Sequence, residues 1–267
     1  MAGVKAPLRA LKIVAQGLTT SFRYPYFMMG VQPTYEMPPP ATLYGHVASA
    51  LGEWFDPRDV RFAVRFTYRA KQHDVETTHL LSPAGGRLPH RREYRKVLAG
   101  KPNPFKREIL FFPRLVLYLN RPEWLEAFRH PRHPVVLGRS QDLFTYLQVS
   151  VVALHPVQDA YLEHTLLPYE YGRYTAAGHA VLMPRFIDYR RGRFPVFERY
   201  LILHRRVFTR DFLRWPQDPG PQIWADPTEP QVRRTPLGIV WLAWDGAHDP
   251  NIHSNPVSTG QSPLSGG

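Results

Sequence analysis

The sequence predicts an α+β fold in which helices cover one side of an antiparallel sheet. Short apolar or alternating segments recur along the chain, whereas only two short segments have a helical pattern. The first elements follow the order strand, long loop, helix and strand, which is typical of α+β domains. The 267 residues, 43% of them apolar, are enough for one large core. We therefore predict a single domain over residues 1–244.

The elements can be assigned in chain order from these patterns. Ala10 to Leu18 alternates apolar and polar residues and is predicted to be the first strand. A helix that ends at Gly52 follows Pro38 to Pro40. Pro122 to Arg129, with proline at its start and early acidic residues, is predicted to be a second short helix. Further strands are predicted at Phe62–Tyr68, Asp74–Leu81, Ile109–Leu119, Thr145–Leu154, Ala180–Tyr189, Val196–His204 and Leu237–Trp244, whereas Tyr161–Leu167 fits no single pattern.

The last residues differ in composition. Periodicity ends near Asp245, and Ser, Pro, Gly, His and Asn dominate from there to Gly267. Such a segment cannot bury enough apolar surface to offset the entropy lost on ordering. Residues 245–267 are therefore predicted to be a disordered tail.

The start of the first helix has features of an anion site. Thr42 can cap the free amides of the helix, and the prolines before it carry no N–H donor. The positive end of the helix dipole suits a phosphate. We expect Ala41 and Thr42 to be the first contacts. A capped helix that binds nothing is the alternative interpretation.

The charge balance favours a polyanionic partner. The net charge is +12, and arginine outnumbers lysine, which suits bidentate phosphate recognition. Ribosomal and membrane-surface proteins share this basicity. The absence of cysteine excludes disulfides and thiol catalysis. Because the sequence lacks a transmembrane run and a signal-peptide pattern, we expect a cytoplasmic protein without membrane contact.

A long basic segment, residues 82–108, interrupts the strand pattern. It contains eight arginines and lysines and two acidic residues, with Tyr94 and Phe105 between them. Positive charge binds phosphates, and aromatic rings can stack on splayed bases. Nucleic-acid contact is therefore expected from Arg87, Arg91, Arg92, Arg95, Lys96 and Lys101. The alternative is a solvated, mobile basic loop.

Two shorter stretches add candidate contacts. In the run VLGRSQDL, Gly138 can adopt a conformation that presents Arg139 and Ser140 at the surface, with Asp142 orienting Arg139 or capping a turn. A purely structural turn is the alternative. Arg23 and Tyr24 follow the first strand and place a charge and an aromatic ring beside it. The alternative is that Arg23 only pairs with a carboxylate.

The twelve histidines give no metal-site pattern. No HExxH or clustered acidic motif is present, so neither a metal nor a cofactor is expected. His46 and Tyr44 on the first helix could cleave RNA by general acid–base steps. The competing interpretation of His46 is a partly buried helix residue.

Two motifs together resemble a known family. Phe22-Arg23, Thr34-Tyr35, the proline run, Ala41-Thr42-Leu43-x-Gly45 and an Ala-rich helix ending in Leu-Gly stand in the order of the N-terminal signature of the Cas-five family, and the later Leu-Gly-Arg-Ser-x-Asp-Leu is similar to its mid-chain motif. These are RAMP-type subunits of type I CRISPR surveillance complexes (Cascade). The resemblance implies a ferredoxin-like, RRM-type core, a thumb-like basic insertion over residues 82–108 and a β-rich C-terminal half. The N-terminal motif favours type I-B.

The resemblance also implies a function. Family members bind the 5′ handle of the guide RNA (crRNA), cap the backbone and support the large subunit near the PAM, without catalysis. The implied partners are crRNA, the backbone subunit and the large subunit, with target DNA nearby. The RNA-binding candidates are then Arg23, Tyr24, Ala41, Thr42, Tyr44, His46, Arg87, Arg91, Arg92, Arg95, Lys96, Lys101, Arg139 and Ser140. Two alternatives stay open: a metal-independent endoribonuclease that processes pre-crRNA, as in type I-C, and a generic basic RNA-assembly protein.

Overall fold

The computed structural model describes residues 7–27 and 30–246. Strands dominate it, as the sequence predicts. In chain order they are β1 (Leu8–Gly17), β2 (Thr19–Thr20), β3 (Val31–Gln32), β4 (Arg61–Thr67), β5 (Ala70–Thr78), β6 (Leu81–Leu88), β7 (Arg91–Ala99), β8 (Asn103–Phe111), β9 (Arg114–Leu119), β10 (Phe144–Val157), β11 (Tyr161–Leu162), β12 (Thr165–Pro168), β13 (His179–Asp188), β14 (Phe194–Leu203), β15 (Val207–Phe208), β16 (Ile223–Ala225), β17 (Gly238–Ile239) and β18 (Leu242–Ala243).

Two α-helices lie at the positions that the sequence predicts. They are α1 (Pro40–Leu51) and α2 (Leu125–Arg129). Helix α1 ends at Gly52, whose φ of 84° is the left-handed conformation that glycine adopts without strain. Short 3₁₀ helices occur at Pro122–Trp124, Tyr169–Arg173, Tyr189–Arg191 and Thr209–Asp211. No helix of the described part of the chain is long and apolar enough to cross a membrane.

The core of the fold is ferredoxin-like. Its elements follow the order β1, α1, β4, β9, α2 and β10, and the four strands lie side by side in the order β4-β9-β1-β10. All three neighbouring pairs are antiparallel. This β-α-β-β-α-β arrangement confirms the α+β fold class and the ferredoxin-like topology.

The two faces of the sheet have different covers. Leu43 and Val47 of α1 and Phe128 of α2 are fully buried against one face. On the other face Val116 and Val152 pack with Trp224, Ile239 and Trp241 of the C-terminal half. Because this half covers the face opposite the helices, that part of the sheet is not open to RNA in the way of an RRM.

The C-terminal half is β-rich and extends the sheet. Strands β12, β14 and β13 continue it beyond β4, and β16 and β17 continue it beyond β10. Strands β13 and β14 form the expected hairpin, paired from His179 to Asp188. The predicted strand Leu237–Trp244 is instead two short pieces, β17 and β18, which pair with β16 and β4. The predicted tail lies, from residue 247 onward, outside the described residues.

The basic segment is part of a long antiparallel ribbon, which we call the arm (residues 70–111). Strands β5 and β8 pair from Ala70↔Phe111 to Thr78↔Asn103, and β6 pairs with β7 beyond them. The arm therefore begins earlier than the expected insertion at residue 82. Pro113 lies between β8 and β9, where its missing N–H breaks no ladder.

Candidate nucleic-acid interface

A cavity of about 830 Å³ opens where several parts of the chain meet. Its lining comes from the loop after β2 (Ser21, Arg23), the first turns of α1 (Ala41, Thr42, Gly45) and the turn around Gly138, together with residues of the β13–β14 hairpin. Five of the candidates from the sequence line it, namely Arg23, Ala41, Thr42, His46 and Arg139. The two sequence motifs thus come together in space.

Helix α1 begins differently from the expectation. Pro39 is the N-cap residue, Pro40 is the first helical residue, and no side chain caps the helix. The backbone N–H groups of Thr42 and Leu43 donate to the Pro39 carbonyl at 2.8 and 3.1 Å. The prediction that Thr42 caps the helix is therefore wrong, because Thr42 lies inside the first turn. Ala41 and Thr42 still line the cavity, half-buried.

One buried polar group in the cavity wall has no hydrogen-bond partner. Ser21 is 3% exposed, and its Oγ contacts no donor or acceptor within the described residues. A buried hydroxyl without a partner costs free energy, so such groups are rare and usually meet a ligand or water. Gly45 adds open backbone to the same wall, since a Cβ there would meet nothing within 4 Å. This wall suits a small anionic group.

Arginines surround the cavity, but two of them are engaged in ion pairs. Glu76 of the arm binds both Arg107 and Arg139. Arg139 also binds Asp142, with Nε–Oδ2 and Nη2–Oδ1 distances of 2.9 and 2.8 Å. Its side chain is only 14% exposed. Arg139 is thus less exposed than expected, because a buried carboxylate holds it, although it still lines the cavity. Arg23 and Arg193 are exposed at the rim.

The turn around Gly138 explains this arrangement. Gly138 has a φ of 107°, and a Cβ there would overlap Thr20 Oγ1 and lie 3.0 Å from the Ser21 carbonyl oxygen. Asp142, 1% exposed, accepts hydrogen bonds from the Arg139 N–H and from Thr19 Oγ1. Asp142 therefore both closes the turn and orients Arg139. The neighbouring Ser140 is exposed beside the turn.

Two candidate residues of α1 belong to the core. Tyr44 is 4% exposed and donates its hydroxyl proton to the Phe55 carbonyl at 2.5 Å, and burial raises its pKa to about 12. His46 is 5% exposed and lies between the Val136 carbonyl (2.9 Å from Nδ1) and the Tyr146 hydroxyl (3.0 Å from Nε2). Burial lowers the pKa of His46, so the ring is neutral. Both side chains are therefore engaged within the fold, and of the two only His46 also lines the cavity.

Tyr24 lies in a different place from Arg23. Its ring stacks on Tyr35 with the centroids 3.7 Å apart, and burial raises its pKa, with Glu36 adding to the effect. It lines a second cleft, which also contains Lys71 and His179. The two adjacent residues of the motif therefore face separate cavities.

The six arm candidates are all exposed, and none lines the cavity. Arg87 lies opposite Arg95, and Leu88 lies opposite Arg91. Since neighbouring residues of a strand point to opposite faces, Arg95 lies on one face of the arm and Tyr94 and Lys96 on the other. Positive charge therefore lies on both faces of the arm, whereas the Tyr94 ring lies on one.

Several cavity residues are not among the candidates from the sequence. Ser21 and Arg107 lie within the segments singled out, but nothing in the pattern marks them. Tyr189, Arg193 and Phe197 belong to the β13–β14 hairpin. The RRGRFP turn of this hairpin combines positive charge with nearby aromatic rings, and this pattern could have indicated a nucleic-acid contact. Within residues 7–27 and 30–246, no three His, Asp or Glu residues are grouped to hold a metal ion.

Comparison with known proteins finds similarity in structure alone. No protein-family model matches the sequence, and no curated protein matches it. A chain described as a CRISPR RNA-guided surveillance complex has 16% identity and a TM-score of 0.46, covering 74% of this chain and 89% of that one. A CRISPR protein from Archaeoglobus fulgidus has 13% identity and a TM-score of 0.41, covering 74% and 87%. A further Cas protein has 14% identity and a TM-score of 0.34, covering 73% and 95%. With TM-scores under 0.5, these likenesses assign no family.

Proposed function

We propose that this protein is a non-catalytic RNA-binding subunit of a type I CRISPR surveillance complex that holds the 5′ handle of the crRNA. The observation that carries the proposal is the cavity in which the two sequence motifs meet. Each motif resembles the Cas-five family separately, and they lie about a hundred residues apart in the chain. Their meeting around one cavity, with arginines at its rim, supports a shared task.

The chemistry of the polar wall fits a phosphate of a single strand. The Ala41 N–H at the start of α1, the unpartnered Ser21 hydroxyl and the exposed Arg23 all lie around the cavity. Hydrogen bonds from such donors to a charged oxygen are stronger than those to a neutral one. Arg107 and Arg139 set the shape of the site, because Glu76 and Asp142 already neutralise them. A phosphate would therefore be bound by hydrogen bonds from these few donors rather than by the overall positive charge of the protein.

The arm supplies the second part of the binding. Its exposed arginines and lysines would follow the RNA backbone, while Glu76 fixes the arm's base to the turn around Gly138. In this function the protein caps the backbone subunits and supports the large subunit near the PAM, with target DNA nearby. The look of the N-terminal motif favours a type I-B system.

The burial of its expected catalytic residues weighs against the endoribonuclease alternative. His46 and Tyr44 are buried and hydrogen-bonded to the backbone of neighbouring segments. A general acid or base must reach the proton that it transfers. Tyr44 does not line the cavity, and His46 lines it but is 5% exposed with both ring nitrogens hydrogen-bonded. Cleavage that is lost in variants of either residue would therefore need a stability measurement beside it, because both residues also support the fold.

The decisive experiment compares RNAs that differ only in their 5′ handle. The protein is purified with its bound RNA, the RNA is sequenced, and the recovered 5′ sequence is then scrambled in a synthetic copy. We expect at least about tenfold weaker binding of the scrambled RNA at one fixed salt concentration. Equal binding of both RNAs would instead support the generic basic assembly protein. Cleavage of repeat RNA by the purified protein would support the nuclease.

A further inference from the structure

The β13–β14 hairpin gives the cavity an apolar wall in addition to its polar one. Pro184, Ile187, Tyr189, Pro195 and Phe197 line this part of the cavity. Most polar residues of the cavity come from other elements, namely α1, the loop after β2 and the turn around Gly138, whereas Arg193 belongs to the hairpin itself. A cavity with one polar and one aromatic side has the chemistry of a nucleotide, which has a charged phosphate and a flat base.

The ring of Tyr189 is the last of a series of rings that starts in the core. The buried Tyr44 ring stacks on Trp54 with the centroids 5.8 Å apart and the planes 9° apart. Trp54 in turn packs on Tyr189 at 4.1 Å, and the guanidinium of Arg193 lies 5.6 Å from the Tyr189 centroid. Trp54 and Tyr189 are 56% and 41% exposed. The core therefore fixes the position of an exposed ring at the rim.

A second ring pair lies on the same hairpin. Phe197 stacks with Tyr26 at 5.6 Å and an interplanar angle of 26°, and Tyr26 is 63% exposed. Single exposed rings are common, whereas exposed rings grouped into one patch often mark a binding site. Here two pairs border one cavity, and each pair includes a ring that lines it. Rings fixed in this way can stack on a base with little loss of conformational entropy.

We infer that the β13–β14 hairpin is a base-stacking wall for single-stranded RNA, in which Tyr189 and Phe197 receive unstacked bases while phosphates lie along the polar wall. This inference rests on the proposed RNA-binding function. It adds that the bases of the bound RNA lie against the hairpin. The cavity of about 830 Å³ is within the range of pockets that enclose whole small-molecule ligands. It therefore has room for a nucleotide rather than for a phosphate group alone.

RNA fits this wall better than a proline-rich peptide does. Aromatic grooves also bind polyproline segments, and such a groove needs rings and no phosphate donors. This cavity adds Ser21, Arg23 and Arg193, and the chain carries a net charge of +12. Base–aromatic stacking tolerates any base, so the wall would add affinity without reading the handle sequence.

The test uses the full chain and uridine decamers that each carry one 2-aminopurine. Tyr189→Leu and Phe197→Leu keep apolar volume but remove the π-face. Phe194→Leu is the matched control, since Phe194 is 64% exposed on the same hairpin and does not line the cavity. We expect stacking to quench 2-aminopurine in the wild-type complex. The two cavity variants should restore its fluorescence and weaken binding about tenfold each.

The outcomes separate this inference from the proposed function. Decamers contain no handle, so quenching that the cavity variants abolish supports the wall even if handle discrimination fails. Handle discrimination with unchanged fluorescence in both variants overturns the wall alone. If the variants bind RNA normally but lose a proline-rich peptide, the wall is a protein-binding surface and the inference is wrong. If the wild-type protein binds no RNA, both proposals fail. A circular dichroism melt verifies that each variant is folded.

Discussion

Lys12 and Asp226, 214 residues apart in the chain, form a buried ion pair with an Nζ–Oδ2 distance of 2.7 Å. Lys12 also contacts Glu229 at 2.6 Å, and the Tyr118 hydroxyl donates to Asp226 at 3.0 Å. Burial opposes ionisation of Asp226, but hydrogen bonds from Lys12 and Thr228 hold its pKa below the ordinary value. This cluster fixes the C-terminal half on the sheet face opposite the helices.

Replacing Lys12 is therefore expected to destabilise the fold strongly. Lys12→Met leaves buried carboxylates without a cation, and breaking a buried pair in this way costs about 3–5 kcal/mol. Lys71→Met is the matched control, because its pair with Glu36 is partly exposed and is expected to contribute at most about 1 kcal/mol. Urea unfolding of both variants measures the difference. Equal losses would show that the Lys12 cluster adds little.

His46 predicts a pH dependence of stability. Burial lowers the pKa of His46 below 6.5. Between the folded pKa and pH 6.5, His46 is therefore protonated in the unfolded chain and neutral in the folded chain. The stability from neutral His46 is present above pH 6.5 and is lost as the pH falls through the folded pKa. His46→Leu should cost about 1–3 kcal/mol at pH 7.5, because the Val136 carbonyl loses its donor, and should flatten the fall in stability below pH 6.5.

The measurement is urea unfolding at several pH values between 7.5 and 5. Part of the slope should persist in His46→Leu, since burial also lowers the pKa of His164 and His204. His130→Gln is the control, because this side chain is 84% exposed. A His46→Leu variant with the full wild-type slope would contradict the prediction.

A substitution at Ser21 is expected to change RNA affinity without changing the stability of the fold. The Ser21 hydroxyl has no partner among the described residues, so Ser21→Ala removes no hydrogen bond and should leave the free energy of unfolding unchanged or slightly higher. If a phosphate oxygen accepts from this hydroxyl, RNA affinity should fall about tenfold. Fluorescence anisotropy with labelled RNA measures this, with Ser150→Ala on β10 as the control. A stability loss without an affinity loss would mean that the hydroxyl serves the fold.

Gly138 should not tolerate a side chain. At a φ of 107°, a Cβ would be strained and would overlap Thr20 Oγ1. Gly138→Ala is expected to cost about 1–3 kcal/mol and to weaken RNA binding, because the turn sets the position of the cavity wall. Gly172→Ala is the control, since its Cβ would meet nothing within 4 Å. Thermal melts and RNA titrations distinguish the two variants, and similar behaviour would contradict this role of the turn.

The arm predicts the salt dependence of RNA binding. Neutralising Arg91, Arg92, Arg95 and Lys96 to Gln should reduce the slope of log affinity against log salt by about 3, since each single-strand phosphate contact contributes about 0.7. A control of equal charge change replaces four exposed arginines outside the arm, namely Arg205, Arg210, Arg233 and Arg234. An unchanged slope in the arm variant would mean that the arm does not follow the RNA.

The residue pattern alone was sufficient for the fold class, for both helices and for the β13–β14 hairpin. Periodicity reports which face of an element is apolar, so it located α1 and the strands of the core. It could not show that β17 and β18 are separate pieces, because burial among other elements gives a continuous apolar run in either case. The end of α1 at Gly52 was predictable for a local reason, as glycine adopts a positive φ without strain.

The candidate site depended on tertiary structure. Local sequence indicated Thr42 as a cap, but Pro39 and Pro40 shift the helix start so that Thr42 lies inside it. It also made Arg139, Tyr44 and His46 candidates for RNA, whereas burial and distant partners such as Glu76 and Val136 engage them within the fold. The sequence by itself determined the basic charge, the element order and two motifs. Only packing decided which polar groups stay available, because availability depends on partners far away in the chain.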